Sequence, residues 1–262
     1  MLKKFLSLSL FVLALQAPLF AQTNLNNLPK VVVSEKGLSE TTKKRYQDDA
    51  FVIAARLLQK NSPVAKQSVE IPKKLVDFVY ATLTQAHAQH PKLAEDFLQK
   101  YDICTFKQPV LLSLIILIPK KDMEDKTVLA QVEKDAQGVY KGSKMSKVIE
   151  LSAEQAGVLI EFDKPVNVKA VAHMLFSKHK YGSVEENSPI ADGSDISFQQ
   201  NKKGWTITYK LGFGKNCMST KCSQNHEWEF LMDEKAAISL KGEKGDAIPA
   251  DFKPEGNIKR LR

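Results

Sequence analysis

The chain has 262 residues and a formal net charge of +8 at pH 7, from 38 basic and 30 acidic residues. This length suits one large domain or two small ones. Because the charges are well mixed, with no long block of like charge and no arginine-rich stripe among aromatic residues, nucleic acid is not an expected partner. The basic excess predicts a solvated surface, with weak attraction to anionic cell-surface polymers as the alternative.

Residues 1–21 have the pattern of a secretory signal peptide. Two lysines precede the apolar run 5–15, and Ala21 is a small residue suited to signal peptidase. The run is about half the roughly twenty residues needed to span a bilayer, so a cleaved signal is favoured over an uncleaved anchor. We therefore expect a mature chain from Gln22, with no transmembrane segment, exported to the periplasm or the cell exterior, where disulfide bonds form.

The region that follows is predicted to contain a lead-in and a helical layer. Residues 22–40 are polar and without a clear period, which indicates a flexible lead-in. In 41–108, apolar residues recur at helical spacing. Thr41 and Thr42 are candidate caps for the first helix. The first amphipathic helix is predicted to run to about Lys60, and the second to begin at 71–72 and run through Ala86; Pro91 interrupts the pattern, and a third helix follows through Tyr101.

From Pro109 the pattern changes to that of a sheet region, 109–249, which stands alone or forms one domain with 41–108. The segment LLSLIILI, residues 111–118, is short, apolar and bounded by prolines, which predicts a fully buried central strand. Further strands are predicted at 147–151, 157–162 and 237–240, helices at 122–137 and 166–178, a polar loop at 182–195 and a polar tail at 250–262.

The strands after residue 195 can be aligned with one another by their apolar faces. A turn at 201–204 places Gln200 opposite Trp205 and Phe198 opposite Ile207, so that the apolar residues coincide. If Cys217 lies opposite Cys222 in the next hairpin, the same face continues. That register pairs Leu211 with Trp228, Tyr209 with Phe230, Ile207 with Met232, Lys210 with Glu229 and Phe213 with His226.

These patterns together predict an α+β fold. N-terminal helices pack on a mostly antiparallel sheet, and the sheet ends in a meander that a disulfide bond staples.

The spacing Cys217-x4-Cys222-x3-His226 suggests zinc, a redox centre or a disulfide. A zinc site needs four protein ligands, or three and a water, and no second Cys/His pair lies nearby in sequence. A redox centre is disfavoured because the motif is not C-x-x-C at a helix start. A Cys217–Cys222 disulfide is therefore favoured and no metal is expected, while Cys104 has the apolar neighbours of a small buried thiol.

Motifs for catalysis or cofactor binding are absent from the sequence. There is no G-x-S-x-G, H-E-x-x-H or Walker-type loop, and the glycine pair around Phe213 lacks the third glycine of a dinucleotide loop. We assign no catalytic residue and expect no cofactor. His173 and His226 are interpreted first as structural histidines, so an enzyme is the less favoured class.

We expect an exported non-catalytic binding or structural protein, with an unknown protein or cell-surface partner. Irregular segments at the end of a rigid sheet often carry binding. A ligand surface is therefore predicted at the polar loop 182–195 and at the hairpin mouth, around Phe213, Lys215 and His226. The alternative is a secreted hydrolase with dispersed acid/base residues, in which His173 or His179 would meet a carboxylate from another element.

One family resemblance is present. The stretch 212–230, with a Gly-x-Gly end, a C-x4-C loop and His-x-Trp-x-Phe, is followed by GEKGDAIP at 242–249. This resembles the ending of an uncharacterised group of exported bacterial proteins with a C-terminal disulfide hairpin. The Ile-Pro-x-x-Leu-Val start of the second helix, residues 71–76, is similar to their N-terminal part. The resemblance implies no activity.

Overall fold

The computed structural model describes residues 27–61, 68–105, 111–179, 181, 183–186, 193–215, 217 and 222–254. Over these residues the chain forms five α-helices and two four-stranded sheets in which all paired strands are antiparallel. The predicted α+β class is confirmed. The predicted signal peptide, residues 1–21, lies outside the described residues.

The elements alternate between helices and strands in the middle of the chain and end in five consecutive strands. The helices are α1 Glu40–Asn61, α2 Lys73–Gln89, α3 Pro91–Glu95, α4 Lys126–Val139 and α5 Val168–His179, with a π-helical turn at Asp96–Lys100 and a 3-10 turn at Lys120–Asp122. The strands are β1 Ser113–Pro119, β2 Ser143–Glu150, β3 Gln155–Phe162, β4 Ser183–Glu186, β5 Asp195–Asn201, β6 Gly204–Phe213, β7 Gln224–Met232 and β8 Ile238–Gly245.

Side-chain caps set two of the helix starts. The Ser39 hydroxyl accepts a hydrogen bond from the Thr42 backbone N–H at 3.1 Å, so Ser39 caps α1 and the predicted caps Thr41 and Thr42 lie inside the helix. The Asp125 carboxylate accepts from the backbone N–H groups of Thr127 and Val128, which satisfies donors that have no partner within α4.

The first of two clusters of buried apolar residues joins the N-terminal helices to the C-terminal sheet, β5-β6-β7-β8. Aromatic rings form much of this contact. Phe97, in the π-helical turn, stacks on Tyr209 of β6 with ring centroids 4.4 Å apart, and Phe78 of α2 lies 4.9 Å from Trp205. Three residues of the lead-in also pack on this cluster, namely Leu28, Val31 and Leu38.

The second cluster lies between the sheet β2-β3-β1-β4 and the helices α4 and α5. As predicted, the apolar segment is a central strand, since β1 lies between β3 and β4. It was predicted to be fully buried, which is wrong: Leu114 and Ile116 are buried, whereas Ile115 and Leu117 on its other face are half-buried. The reason is that α4 and α5 cover one face of this sheet.

The register of the first C-terminal hairpin is confirmed. Gln200 pairs with Trp205, Phe198 with Ile207 and Ile196 with Tyr209. The turn is tight because Asn201 pairs directly with Gly204, so a short connection leaves a single register that places both apolar faces on the helices.

The register predicted for the second hairpin is wrong by two residues. Tyr209 pairs with Trp228, and the ladder ends at Phe213 opposite Gln224. The neighbouring pairs are Ile207 with Phe230, Trp205 with Met232, Lys210 with Glu227 and Leu211 with His226. The disulfide lies in the loop beyond the ladder, so counting back from it misplaces the pairs. A shift of two keeps every side chain on its face, which is why the apolar pattern did not reveal the error.

Other element boundaries also differ from the prediction; β2 begins at Ser143 rather than at 147, and α4 at Lys126 rather than at 122. Residues 183–186 were assigned to a polar loop, but they form β4, a short edge strand paired with β1; residues 187–192 of that loop lie outside the described range. The last strand, predicted at 237–240, continues to Gly245. Both segments have too few apolar residues to show a strand pattern in the sequence.

Asn167 connects the two parts of the fold. Its side chain is fully buried, and its backbone N–H donates to the Val69 carbonyl at 2.8 Å. The Asn167 side-chain amide donates to the Ser68 carbonyl at 3.0 Å. The segment that leads into α2 is therefore held against the start of α5.

A buried histidine between α1 and α2 predicts a pH-dependent stability. His87 Nδ1 lies 2.9 Å from the Tyr46 hydroxyl, and both side chains are buried. Burial lowers the pKa of His87 below its ordinary value of 6.5, against the opposing effect of the Glu95 carboxylate. The unfolded chain therefore binds a proton at a higher pH than the folded chain does, and acid favours unfolding below about pH 6.5.

We expect His87→Gln to remove this contribution, which amounts to at most about 1.4 kcal/mol per pH unit. The measurement is the free energy of unfolding in urea at several pH values between 7 and 5, for the wild type, His87→Gln and the exposed control His173→Gln. The control should follow the wild type. Equal pH slopes for all three proteins would contradict the assignment.

Candidate ligand-binding cleft

A cleft of about 200 Å³ opens at the end of the C-terminal sheet, where β6 leaves its ladder with β7. Three aromatic side chains from distant parts of the sequence line it: Tyr101, Phe213 and Phe252. The remaining lining residues are Ser194, Leu211, Gly212, Gly214, Cys217, Gln224, Pro249, Lys253 and Pro254. The site thus combines an apolar floor with a few polar groups.

Local backbone structure brings the three rings together. Phe213 is the last residue of β6 and is buried. The Tyr101 backbone N–H donates to the Asp96 carbonyl, which closes the π-helical turn, and the Phe252 N–H donates to the Pro249 carbonyl. The Phe252 ring lies 6.2 Å from Phe213 and 6.0 Å from Tyr101, measured between centroids. The C-terminal segment thereby forms one wall of the cleft.

The disulfide supports the wall on the β6 side, where its packing requires two glycines. Cys217 and Cys222 are bonded, as predicted, and a Cβ atom at Gly212 or Gly193 would overlap the Cys222 sulfur. Gly193 also has a φ of +81°, in the region that favours glycine. The absence of a Cβ atom at both positions leaves room for the Cys222 sulfur at the end of the sheet.

One of the three predicted ligand-surface residues lines this cleft, and a second is a sequence neighbour of a lining residue. Phe213 lines it, and the exposed Lys215 follows the lining residue Gly214. His226 is not among the lining residues. Its ring packs on Trp228 at 4.5 Å, and its Nδ1 lies 2.9 Å from the Asp246 carbonyl, so β7 and the end of β8 hold it.

Sequence reasoning missed Tyr101 and Phe252. Tyr101 was assigned to the apolar face of the third helix, and Phe252 was included in the polar tail. The one signal in the sequence was an aromatic residue between two prolines, Pro249 and Pro254. That pattern suggests a fixed rather than a solvated segment.

A histidine and a carboxylate do meet elsewhere in the fold. His179 Nδ1, at the end of α5, lies 3.3 Å from Asp135 Oδ1 on α4. The Tyr181 hydroxyl donates to Asp135 Oδ2 at 2.7 Å, and Gln131 donates to Oδ1. Burial and the hydrogen bond to Asp135 raise the pKa of the Tyr181 hydroxyl. The other candidate, His173, is exposed.

The buried thiol is confirmed, since Cys104 is 2% exposed. Within the described ranges, no three His, Cys, Asp or Glu side chains are grouped so that they could hold a metal ion. None of the helices described is both long and apolar enough to cross a membrane. Comparison of the chain with protein-family models, curated proteins and solved structures gives no match.

Proposed function

We propose that this chain is an exported, non-catalytic binding protein and that its ligand site is the cleft at the end of the C-terminal sheet. The observation that carries the proposal is the convergence of Tyr101, Phe213 and Phe252 on one cavity. Binding pockets are typically apolar and aromatic, with a small number of polar groups that orient the ligand. Ser194, Gln224 and Lys253 supply such groups here.

Export is supported by two independent features. The sequence of residues 1–21 has the three parts of a signal peptide. The disulfide between Cys217 and Cys222 is of a kind that persists in the periplasm or outside the cell and is rare in the cytosol.

The size of the cleft limits the ligand. At about 200 Å³, it is smaller than the roughly 300–1,000 Å³ typical of pockets for drug-sized molecules. It therefore suits a group about the size of one ring. Such a group would contact the aromatic side chains, whose faces and edges favour another ring.

The competing hypothesis of a hydrolase has one observation in its favour, the His179–Asp135 contact. A base held by a carboxylate resembles part of a catalytic arrangement. However, Asp135 also accepts hydrogen bonds from Tyr181 and Gln131, which fits a structural tie between α4 and the end of α5. None of the residues that line the cleft belongs to either helix, so the geometry favours binding.

The proposed site is tested with a neutral one-ring probe, 3-phenylpropanamide. We expect Phe213→Ala to weaken binding of this probe by roughly tenfold, since an aromatic contact contributes about 0.5–1.5 kcal/mol beyond its buried area. Binding is followed by the fluorescence of Trp228, whose ring lies 5.4 Å from Tyr101, and by calorimetry.

The matched control is Phe198→Ala, because Phe198 is equally buried in the same sheet but does not line the cleft. This variant should lose stability and keep its affinity under conditions where it is folded. Equal affinity of Phe213→Ala and the wild type would contradict the proposed site, as would the absence of any binding to the wild type.

A further inference from the structure

We propose that the ligand of this cleft is a small aromatic carboxylate, a free molecule with one ring and one negative charge. This inference rests on the proposed function and specifies the ligand of the same site. It is carried by the distribution of charge around the cleft rather than by its apolar floor.

The charges at the cleft are positive. Lys253 lines it, and none of the twelve lining residues is acidic. Lys215 borders the cleft next to Gly214, and the Lys100 ammonium lies 4.9 Å from the centre of the Tyr101 ring. Lys253 therefore places a cation in a cleft whose floor is aromatic, and two further lysines are sequence neighbours of lining residues.

Two of these lysines are available to a ligand. Among the described residues, no carboxylate lies within ion-pair distance of Lys215 or Lys253, whereas two lysines of β8 are paired. On the outer face of the sheet, Lys241 and Lys244 both contact the Glu229 carboxylate, at 3.1 and 2.6 Å. The cleft thus differs from this outer-face cluster, because its lining lysine has no paired carboxylate among the described residues.

The arrangement fits a ligand with two chemically different ends. A ring would occupy the apolar part of the cleft, against the side chains of Tyr101, Phe213 and Phe252. A carboxylate at the mouth would face Lys253. The Gln224 amide, which also lines the cleft, is a further donor to a carboxylate oxygen. The volume of about 200 Å³ leaves room for one ring and a short chain, which favours a free small molecule over a folded partner.

The test uses the full mature chain and three probes that share one phenyl group: 3-phenylpropanoate, 3-phenylpropanamide and the tripeptide Gly-Gly-Phe. At low salt, we expect the acid to bind roughly fivefold more tightly than the amide, the upper end for an exposed ion pair. Lys253→Gln combined with Lys215→Gln should remove that advantage, so that the acid and the amide bind this variant with equal affinity. High salt should reduce the advantage as well.

The control is Lys203→Gln, an exposed lysine in the turn at the opposite end of β6, which should keep the full advantage of the acid. Equal affinities for acid and amide in the wild type would overturn this inference and leave the proposed binding function standing. Tighter binding of Gly-Gly-Phe than of the free acid would overturn it in favour of a peptide carboxyl terminus. Failure of every probe to bind would overturn the proposed function as well.

Discussion

Phe97→Ala is expected to lower the free energy of unfolding by roughly 3–5 kcal/mol, the range for removing a buried aromatic side chain from a well-packed core. Phe97 is 3% exposed. Its ring stacks on Tyr209 at 4.4 Å and lies 5.0 Å from Trp228. Because it belongs to the π-helical turn and contacts two strands, its loss leaves a cavity between the helical layer and the sheet.

Urea denaturation followed by tryptophan fluorescence measures this loss. The control Phe176→Ala removes the same side chain from a position that is 55% exposed, so its effect should be within about 0.5 kcal/mol. A loss below about 1 kcal/mol for Phe97→Ala, within the range of an ordinary surface substitution, would show that the helices and the sheet do not share this core.

The second large effect is expected from the disulfide. Replacing Cys217 and Cys222 together by serine should lower the free energy of unfolding by about 2 kcal/mol, because the loop that the bond closes is short and the entropy cost scales with loop length. The fold should remain, since the β6–β7 ladder ends at Phe213 and the disulfide therefore lies outside the paired residues. Reduced wild type, measured in the same way, should match the double variant.

Thiol titration provides an independent check on the same bond. In protein recovered from the oxidising compartment, we expect no fast-reacting thiol in the native state, since Cys104 is buried, and one thiol after denaturation. Three reactive thiols after denaturation would contradict the disulfide and reopen the metal interpretation.

The sequence was most informative where short connections leave few alternatives. The pairing of Phe198 with Ile207 followed from a tight turn and two alternating apolar patterns. The next hairpin has a longer loop, and its register was inferred from the position of the cysteines. Because side chains alternate with a period of two, each residue was assigned to the correct face of the sheet, whereas its partner on the neighbouring strand was predicted wrongly.

The cleft could be located only in part. Phe213 and Lys215 lie at the end of β6, next to Gly212 and Gly214. Such a strand end is a recognisable position for binding residues. Tyr101 and Phe252 come from segments far away in sequence, and no local pattern indicates that two such segments will meet. β4 was missed for a related reason, since an edge strand with only one apolar side chain has no alternating pattern.

The order of the two buried clusters along the chain has a consequence for biosynthesis. The helices near residue 50 find their partner strands only after residue 195, as the Arg56–Asp195 contact across 139 residues illustrates, whereas the cluster around β1 draws on neighbouring segments. The parts of α1 and α2 that face the C-terminal sheet thus stay uncovered by it until almost the whole chain has been synthesised. Long-range closure of this kind slows folding. Under the export that we propose, the chain would cross a membrane unfolded and would benefit from that delay, because its largest core cannot close before the C-terminal strands have emerged.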